Sequence, residues 1–333
     1  MNSHLMRRAA KPMLFLAAFI WGTSFFIMKN TLDSTPVLWL LTFRFSVGAV
    51  LLGLFCWKRW GRSFTWDYVW RGAVLGTFLF TAYATQTFGL VDTTPSKNAF
   101  LTATYCVLVP FLYWAVARQQ PDRYNILAAL MCVTGVGLVS LTGDFTITRG
   151  DLLTLLSALF YTFHIVAVNK LSVNKDVYLI TVMQFSFTAI WALSGALLFQ
   201  PFPAAIFSQP QVLFPLAYLC VMCTTVALLF QNVGQVWSDP SSASVILSLE
   251  SVFGVLFSVL FYGDPVTPPP DGWLCPDLRG GHLLGDQIRL PAAQEEGRRG
   301  RNHAPRGLRL KKPEFHGILS KMSNKGEGII GTA

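Results

Sequence analysis

The sequence predicts an all-α integral membrane protein made of two inverted five-helix repeats, with nine helices present and the tenth missing. Three observations carry this. The chain of 333 residues is 53% apolar, 14% aromatic and only 13% charged, where soluble domains carry about 25% charged residues. Its mean hydropathy is +0.47. Nine stretches are apolar over the roughly 20 residues that cross a bilayer, and the two halves of the chain resemble each other at a nearly constant shift.

The nine stretches are 12–30, 36–57, 69–91, 95–117, 123–142, 150–168, 178–199, 212–233 and 241–262. MRRAAK leads into a full-length apolar segment without an A-x-A cleavage site, which predicts a retained first span rather than a secretory signal. Short loops rich in Asp, Pro, Ser, Thr and Asn join the spans. Lys and Arg collect in alternate loops. Arg7, Arg8 and Lys11 precede the first span, Lys58, Arg59, Arg62 and Arg71 follow the second, Arg118 and Arg123 the fourth, Lys170 and Lys175 the sixth. The other loops hold only Lys29, Lys97 and Arg149. The positive-inside rule then places the N-terminus in the cytoplasm.

Trp21 laid over Tyr161, a shift of 140, brings FRF (43–45) onto MQF (183–185). At a shift of 145, QTFGLVDTTPSKNAFL (86–101) lies over QNVGQVWSDPSSASVI (231–246). Gln86 then meets Gln231, Gly89 meets Gly234, Pro95 meets Pro240 and Ser96 meets Ser241. A unit of five spans is odd, so the second copy enters the membrane upside down, the inverted-topology plan of many secondary transporters. The repeats are expected over 12–142 and, incomplete, over 150–264.

The fifth span (NILAALMCVTGVGLVSL, 125–141) demands a counterpart near 270–286, but the chain there reads PPPDGWLCPDLRGG and onward into a basic tail over 268–333. With nine spans this basic tail would lie outside, against the orientation rule. Both arguments predict a lost tenth helix and point to a change of reading frame. Codons for Pro269–Gly285 exist that, read one nucleotide later, encode an apolar stretch. The TGG of Trp273 ahead of Leu274 then has to yield Gly. The tail is expected to be poorly ordered and the groove of the tenth helix exposed.

AAFIWGTSFFIMK, FRFSVGAVLL, TFGLVDTTPSKNAFLTATYCVLVP and SASVILSLESVFGVLFSVLFYGD resemble the EamA branch of the drug/metabolite transporter superfamily over about 12–264. The resemblance implies ten spans, both termini cytoplasmic, two five-helix repeats and a central cavity. It also implies export or exchange of small metabolites. The chain departs from this pattern after Asp264.

A charge inside a span costs about 2.5–3.5 kcal/mol on the insertion scale and is a candidate for function by default. Arg44, in the outer half of the second span, and Glu250, near the middle of the ninth, are the principal substrate candidates. They either pair with each other, hold the two charges of a zwitterionic solute, or serve as links to backbone and hydroxyl groups. Removing a carboxyl from water disfavours its charged form, which makes Glu250 the candidate for proton coupling. Polar and aromatic residues at matching repeat positions complete the cavity set: Gln184 (mate of Arg44), Tyr105 (mate of Glu250), the pair Gln86 and Gln231, and the pair Trp21 and Tyr161. Asn98 reads as a helix cap, His164 as a hydrogen-bonded interface residue and Pro110 as a kink. Gly22, Gly48, Gly76, Gly135 and Gly254 read as close-packing positions.

The sequence holds no HExxH, GxSxG, Walker loop or strand-borne GxGxxG, so no enzyme, cofactor or nucleic-acid partner is expected. CVMC (220–223) lacks a second ligand pair and reads as apolar filler rather than a metal site. The expected partners are the lipid bilayer, a small-molecule substrate and H+ as coupling ion, with a homodimer as one assembly. The expected function is that of a secondary carrier in the inner membrane of a bacterium. The alternative is a non-transporting or inactive family member without its last helix.

Overall fold

The computed structural model describes residues 3–59, 65–118 and 147–264, with positions 120, 123, 126, 127, 131 and 134 between them. The rest of the expected fifth span at 123–142, and the tail at 268–333 with its order and its reading frame, lie outside the described residues. Inside them every regular element is a helix. Eight helical stretches are long and apolar enough to cross a membrane: Met6–Leu32, Val37–Phe55, Trp66–Val91, Pro95–Ala117, Arg149–Leu171, Val177–Phe199, Pro210–Val236 and Pro240–Tyr262. They coincide with the eight expected spans other than the fifth.

Four of these stretches are α1 (Ser3–Leu32), α2 (Val37–Phe55), α3 (Trp66–Val91) and, after a break, α4 (Pro95–Thr102) with α5 (Tyr105–Ala117). The second half holds α6 (Arg149–Leu171), α7 (Val177–Phe199), α8 (Pro210–Tyr218), α9 (Ala227–Val236), α10 (Pro240–Leu247) and α11 (Leu249–Phe257). Local chemistry sets the helix starts. Thr148 and Asp151 form a reciprocal capping box at α6. The Asp176 and Asp239 carboxylates accept from the Tyr178 and Ser242 amides. Pro95 and Pro240 occupy first-turn positions, where no N–H is needed.

Contacts at the helix ends show the inversion. The start of α3 meets the end of α6, where Arg71 donates to the Leu171 carbonyl at 2.8 Å. The end of α3 and the start of α4 meet the start of α6, where Lys97 pairs with Asp151 at 2.6 Å. The Gln200 side chain, after α7, accepts from the Leu38 amide at the start of α2. The Asp264 carboxylate, after α11, accepts from the Ser96 amide at the start of α4. So α2 runs against its repeat mate α7, and α4 against the span that ends at Tyr262. The second half is the first turned over.

The fourth described spans of the two halves break alike. The helix is interrupted between Thr102 and Tyr105, and again at Ser248 between Leu247 and Leu249. These interruptions are 145 residues apart, at the shift that aligns Pro95 with Pro240. At each break a hydroxyl folds back on the preceding turn: Thr104 onto the Leu101 carbonyl and Ser248 onto the Val245 carbonyl.

Glycine lets two helices approach at two decisive places. A Cβ on Gly22 of α1 would overlap Phe253 of α11, and one on Gly76 of α3 would lie 2.7 Å from the Gln184 carbonyl of α7. The seam beside Gly22 is filled by edge-on ring pairs, Phe19–Phe253 at 5.2 Å and Phe19–Phe257 at 5.5 Å between centroids.

Charge gathers at the face where α1 begins, here called the basic face. Asp67 holds both Arg71 and Lys175, and Arg59 pairs with Asp176 at 2.9 Å. The Asp176 hydrogen bond raises the Arg59 pKa, and burial raises that of the neighbouring Cys56 thiol. At the opposite face the Lys29 ammonium caps the end of α3, donating to the carbonyls of Leu90, Val91 and Thr93.

Candidate functional site: a polar cavity between the two halves

The span of α8 and α9 is not a uniform α-helix. Leu219–Val226 is a π-helix joining the two. Its wider turn is stitched by hydroxyls bonding five residues back, Thr224 to the Leu219 carbonyl at 2.8 Å and Thr225 to the Cys220 carbonyl at 2.9 Å. Such wide turns free backbone groups for other partners. The Cys223 carbonyl accepts from the Trp21 indole of α1 at 2.8 Å. The Thr224 hydroxyl accepts from Arg44 Nε of α2 at 2.9 Å.

Arg44 is 1% exposed and is held on three sides. Besides Thr224, its guanidinium lies 4.9 Å from the Tyr83 ring centre, a cation–π contact, and its Nη1 is 3.3 Å from Met28 Sδ. The guanidinium has five donors in a rigid fork, so this anchoring leaves N–H groups to face the cavity. Glu250 sits in the first turn of α11, just past the break, where the free N–H groups of a helix start favour negative charge. Tyr105 follows the matching break at the start of α5. Gln86 is clamped from both ends, donating to Thr102 at 3.0 Å and accepting from the Tyr161 hydroxyl at 2.8 Å.

Several of these side chains surround a small cavity between the helices. Arg44, Glu250, Trp21, Gln86, Tyr105, Tyr161 and Gln231 all line it. Arg44 and Glu250 share its wall without forming an ion pair with each other: the described ion pairs all lie near the two faces. Gln184 does not line the cavity. The inversion carries the mate of Arg44 to the other side of the midplane, where Gln184 bonds with His164 and Asn232.

Sequence reasoning passed over Ser24, Met28 and Tyr83, which also line the cavity. Helical spacing held the signal for two of them, since Ser24 and Tyr83 each stand one turn from a chosen residue, Trp21 and Gln86. Nothing local marks Met28 or the anchoring Thr224.

A chain whose described elements are all helices, with opposed halves, matched helix breaks and a charged cavity between them, is built as a multi-pass membrane transporter. The model of the EamA-like transporter family matches residues 10–141 and 148–269, and the chain belongs to that family. A protein of Archaeoglobus fulgidus described as an uncharacterized transporter is 33% identical over 261 residues, covering 77% of this chain and 79% of that protein. A second one from the same organism, described in the same words, is 23% identical over 257 residues, covering 74% and 86%. A solved structure described only as "Crystal structure of protein" shares the fold with a TM-score of 0.64 at 18% identity, covering 78% of this chain and 91% of that one. Membership in a transporter family makes the chain a non-enzymatic membrane protein that works in a lipid bilayer on a small-molecule substrate.

Proposed function

We propose that the chain is a secondary carrier that exports small metabolites, such as amino acids or drugs, across the cytoplasmic membrane by alternating access. The basic face and the N-terminus are then cytoplasmic. The observation that carries this reading is the cavity itself: a fixed guanidinium and a carboxyl on opposed halves, both buried, both at the wall and not paired with each other. Buried charges without a mutual partner are costly, and an amphipathic solute that meets both offsets that cost. Matched interrupted helices near the midplane are where carriers place such sites. The half that holds Arg44 and the half that holds Glu250 rock against each other, so the cavity opens to one face and then the other. The chain has no nucleotide-binding motif, so a gradient drives the cycle. Glu250 is the site for a coupled proton, and a homodimer is the assembly to look for.

A panel of metabolites tested for efflux from proteoliposomes checks the reading. Saturable transport of at least one solute, lost in Arg44→Gln, is expected. Transport indifferent to Arg44→Gln removes the cavity from the mechanism.

One observation favours a second reading, a family member inactive without its last helix: the family match ends at residue 269, where the apolar pattern stops. Transport by a chain with the frame restored, and none by this one, supports that reading. Close relatives that keep PPPDGWLCPDLRGG in frame across codons 265–275 remove the frame change.

A further inference from the structure

On the basic-face side of the cavity lies a second polar cluster. His164 of α6, Thr181 and Gln184 of α7, and Asn232 and Gln235 of α9 are each 1% exposed or less. They hold one another only in part. The Asn232 amide donates to Thr181 Oγ1 at 3.0 Å and lies 3.4 Å from Gln184 Oε1, which is 3.3 Å from His164 Nε2. His164 Nδ1, Gln184 Nε2, Asn232 Oδ1 and both amide atoms of Gln235 have no partner among the described residues. Each such buried atom costs about 1–3 kcal/mol if left dry. The set mixes donors with acceptors, which is what water satisfies: a buried water typically makes about three hydrogen bonds to groups of this kind. A bare metal cation fits worse, because Asn232 Nδ2 already points at the Thr181 and Gln184 oxygens.

The cluster is placed to connect. Ile165 and Gln231 line the cavity, and they are the chain neighbours of His164 and Asn232. Gln231 Oε1 is also without a partner. At the other end, Gln235 is the next-to-last residue of α9. Gln231 at the cavity wall and Gln235 near the helix end stand one turn apart on α9, so unpartnered polar side chains are spaced from the cavity wall toward the basic face. The repeat adds a second argument. His164 is the mate of Ser24, Gln184 of Arg44 and Asn232 of Thr87. The matching corner is filled by the Arg44 guanidinium, against Met28 of its own half and Thr224 of the other. In the second half an amide and an imidazole stand where the fixed cation would be.

We propose that this cluster is an internal water site in which His164 accepts protons, and that it carries them between the basic face and Glu250. The proposal rests on the carrier reading above and names the route of its coupling ion. A hydronium ion at the basic face gives its proton to His164 Nδ1 and is left as water; the imidazolium then releases that proton through water to one oxygen of the Glu250 carboxylate, leaving a neutral ring and a neutral carboxyl. The polar group that touches His164 is Gln184. Of the elements packed on α6, α3 brings Tyr83 at the cavity and Arg71 and Asp67 at the basic face, α5 brings Tyr105 and Tyr113, α4 brings Lys97 at the opposite face, and α9 and α10 bring no charge. On α6 itself Tyr161 stands toward the cavity, Lys170 at the basic face, and Arg149 and Asp151 at the far end.

The test uses the full chain in lipid nanodiscs with ¹⁵N-labelled histidine. Magnetisation is transferred from water protons to the imidazole, and the His164 signal is assigned by its absence in His164→Gln. A water-to-His164 signal is expected, and its absence overturns the water site. In a second measurement an acid step is applied and the carbonyl stretch of protonated Glu250, assigned with Glu250→Gln, is followed by infrared. His164→Gln keeps an amide for the local hydrogen bonds. Its Glu250 protonation is expected to slow about tenfold or more, and an unchanged rate overturns the relay. Neither measurement needs a transported solute. A dry His164 in a chain that transports removes the relay alone, and a hydrated one in a chain that transports nothing removes the carrier reading alone.

Discussion

Arg44 is the residue on which the cavity turns. Its anchors, Thr224, Tyr83 and Met28, come from three other helices, so it fixes a charge and ties the two halves at once. Arg44→Lys keeps the charge but loses the planar fork. It is expected to fold and to transport at least tenfold more slowly, read as initial efflux rates. Glu250→Gln keeps the shape and cannot take a proton. It is expected to abolish transport driven by an imposed pH gradient while solute exchange without a gradient persists; unaltered pH-driven transport would exclude Glu250 as the coupling group. A third residue-scale prediction concerns the face opposite the basic one. Asp151 is 3% exposed and held by Lys97, Thr93 and the Thr148 amide. Lys97→Met leaves that buried carboxylate short of its countercharge. Lys97 is only partly buried, so the cost is roughly 1–3 kcal/mol. A lower melting temperature in detergent is expected, restored in part by adding Asp151→Asn.

At the scale of elements, the seam between α1 and α11 depends on one missing methyl group. Gly22→Ala places a carbon where Phe253 already stands. Overpacking of this kind costs about 1–3 kcal/mol, so a clear drop in melting temperature is expected, larger than for Gly53→Ala, where the added carbon meets only Val182 at 3.8 Å. Hydropathy made the spans legible because a membrane helix is a long one-dimensional signal. Pro95 and Pro240, each preceded by a capping Thr or Asp, entered the sequence reading only as a repeat match, and Asn98, read there as the cap, instead donates to the Gln86 carbonyl and Thr154. Other features were not legible. The breaks at Ala103 and Ser248 carry neither Gly nor Pro, and the π-turn at 219–226 reads as uniform apolar helix. Both arise from hydroxyls choosing between backbone acceptors, a competition that tertiary packing decides. For the same reason the repeat alignment found Gln184 as the mate of Arg44 but not its surroundings. A shift locates a partner along the chain, whereas inversion decides which side of the midplane it occupies.

At the scale of the whole molecule, the proposed carrier has ties at both faces around one cavity. The face opposite the basic one is tied by Lys97–Asp151, Lys29 on the end of α3, and Asp264 on Ser96. The basic face is tied by Asp67 with Arg71 and Lys175, and by Arg59–Asp176. A carrier breaks one set while it keeps the other. Pro240–Tyr262 is the least buried of the eight described spans, at 33% of its apolar window against 44–56% for the rest. The central claim is that this single cavity is reached in turn from both faces. Ser24 lines it, so a Ser24→Cys chain in proteoliposomes, treated from either face with a membrane-impermeant thiol reagent and read against the unmodified chain, tests the claim most directly. Labelling from each face, slowed by a transported solute, is the predicted result; labelling from one face only, with no protection by any solute, would contradict it.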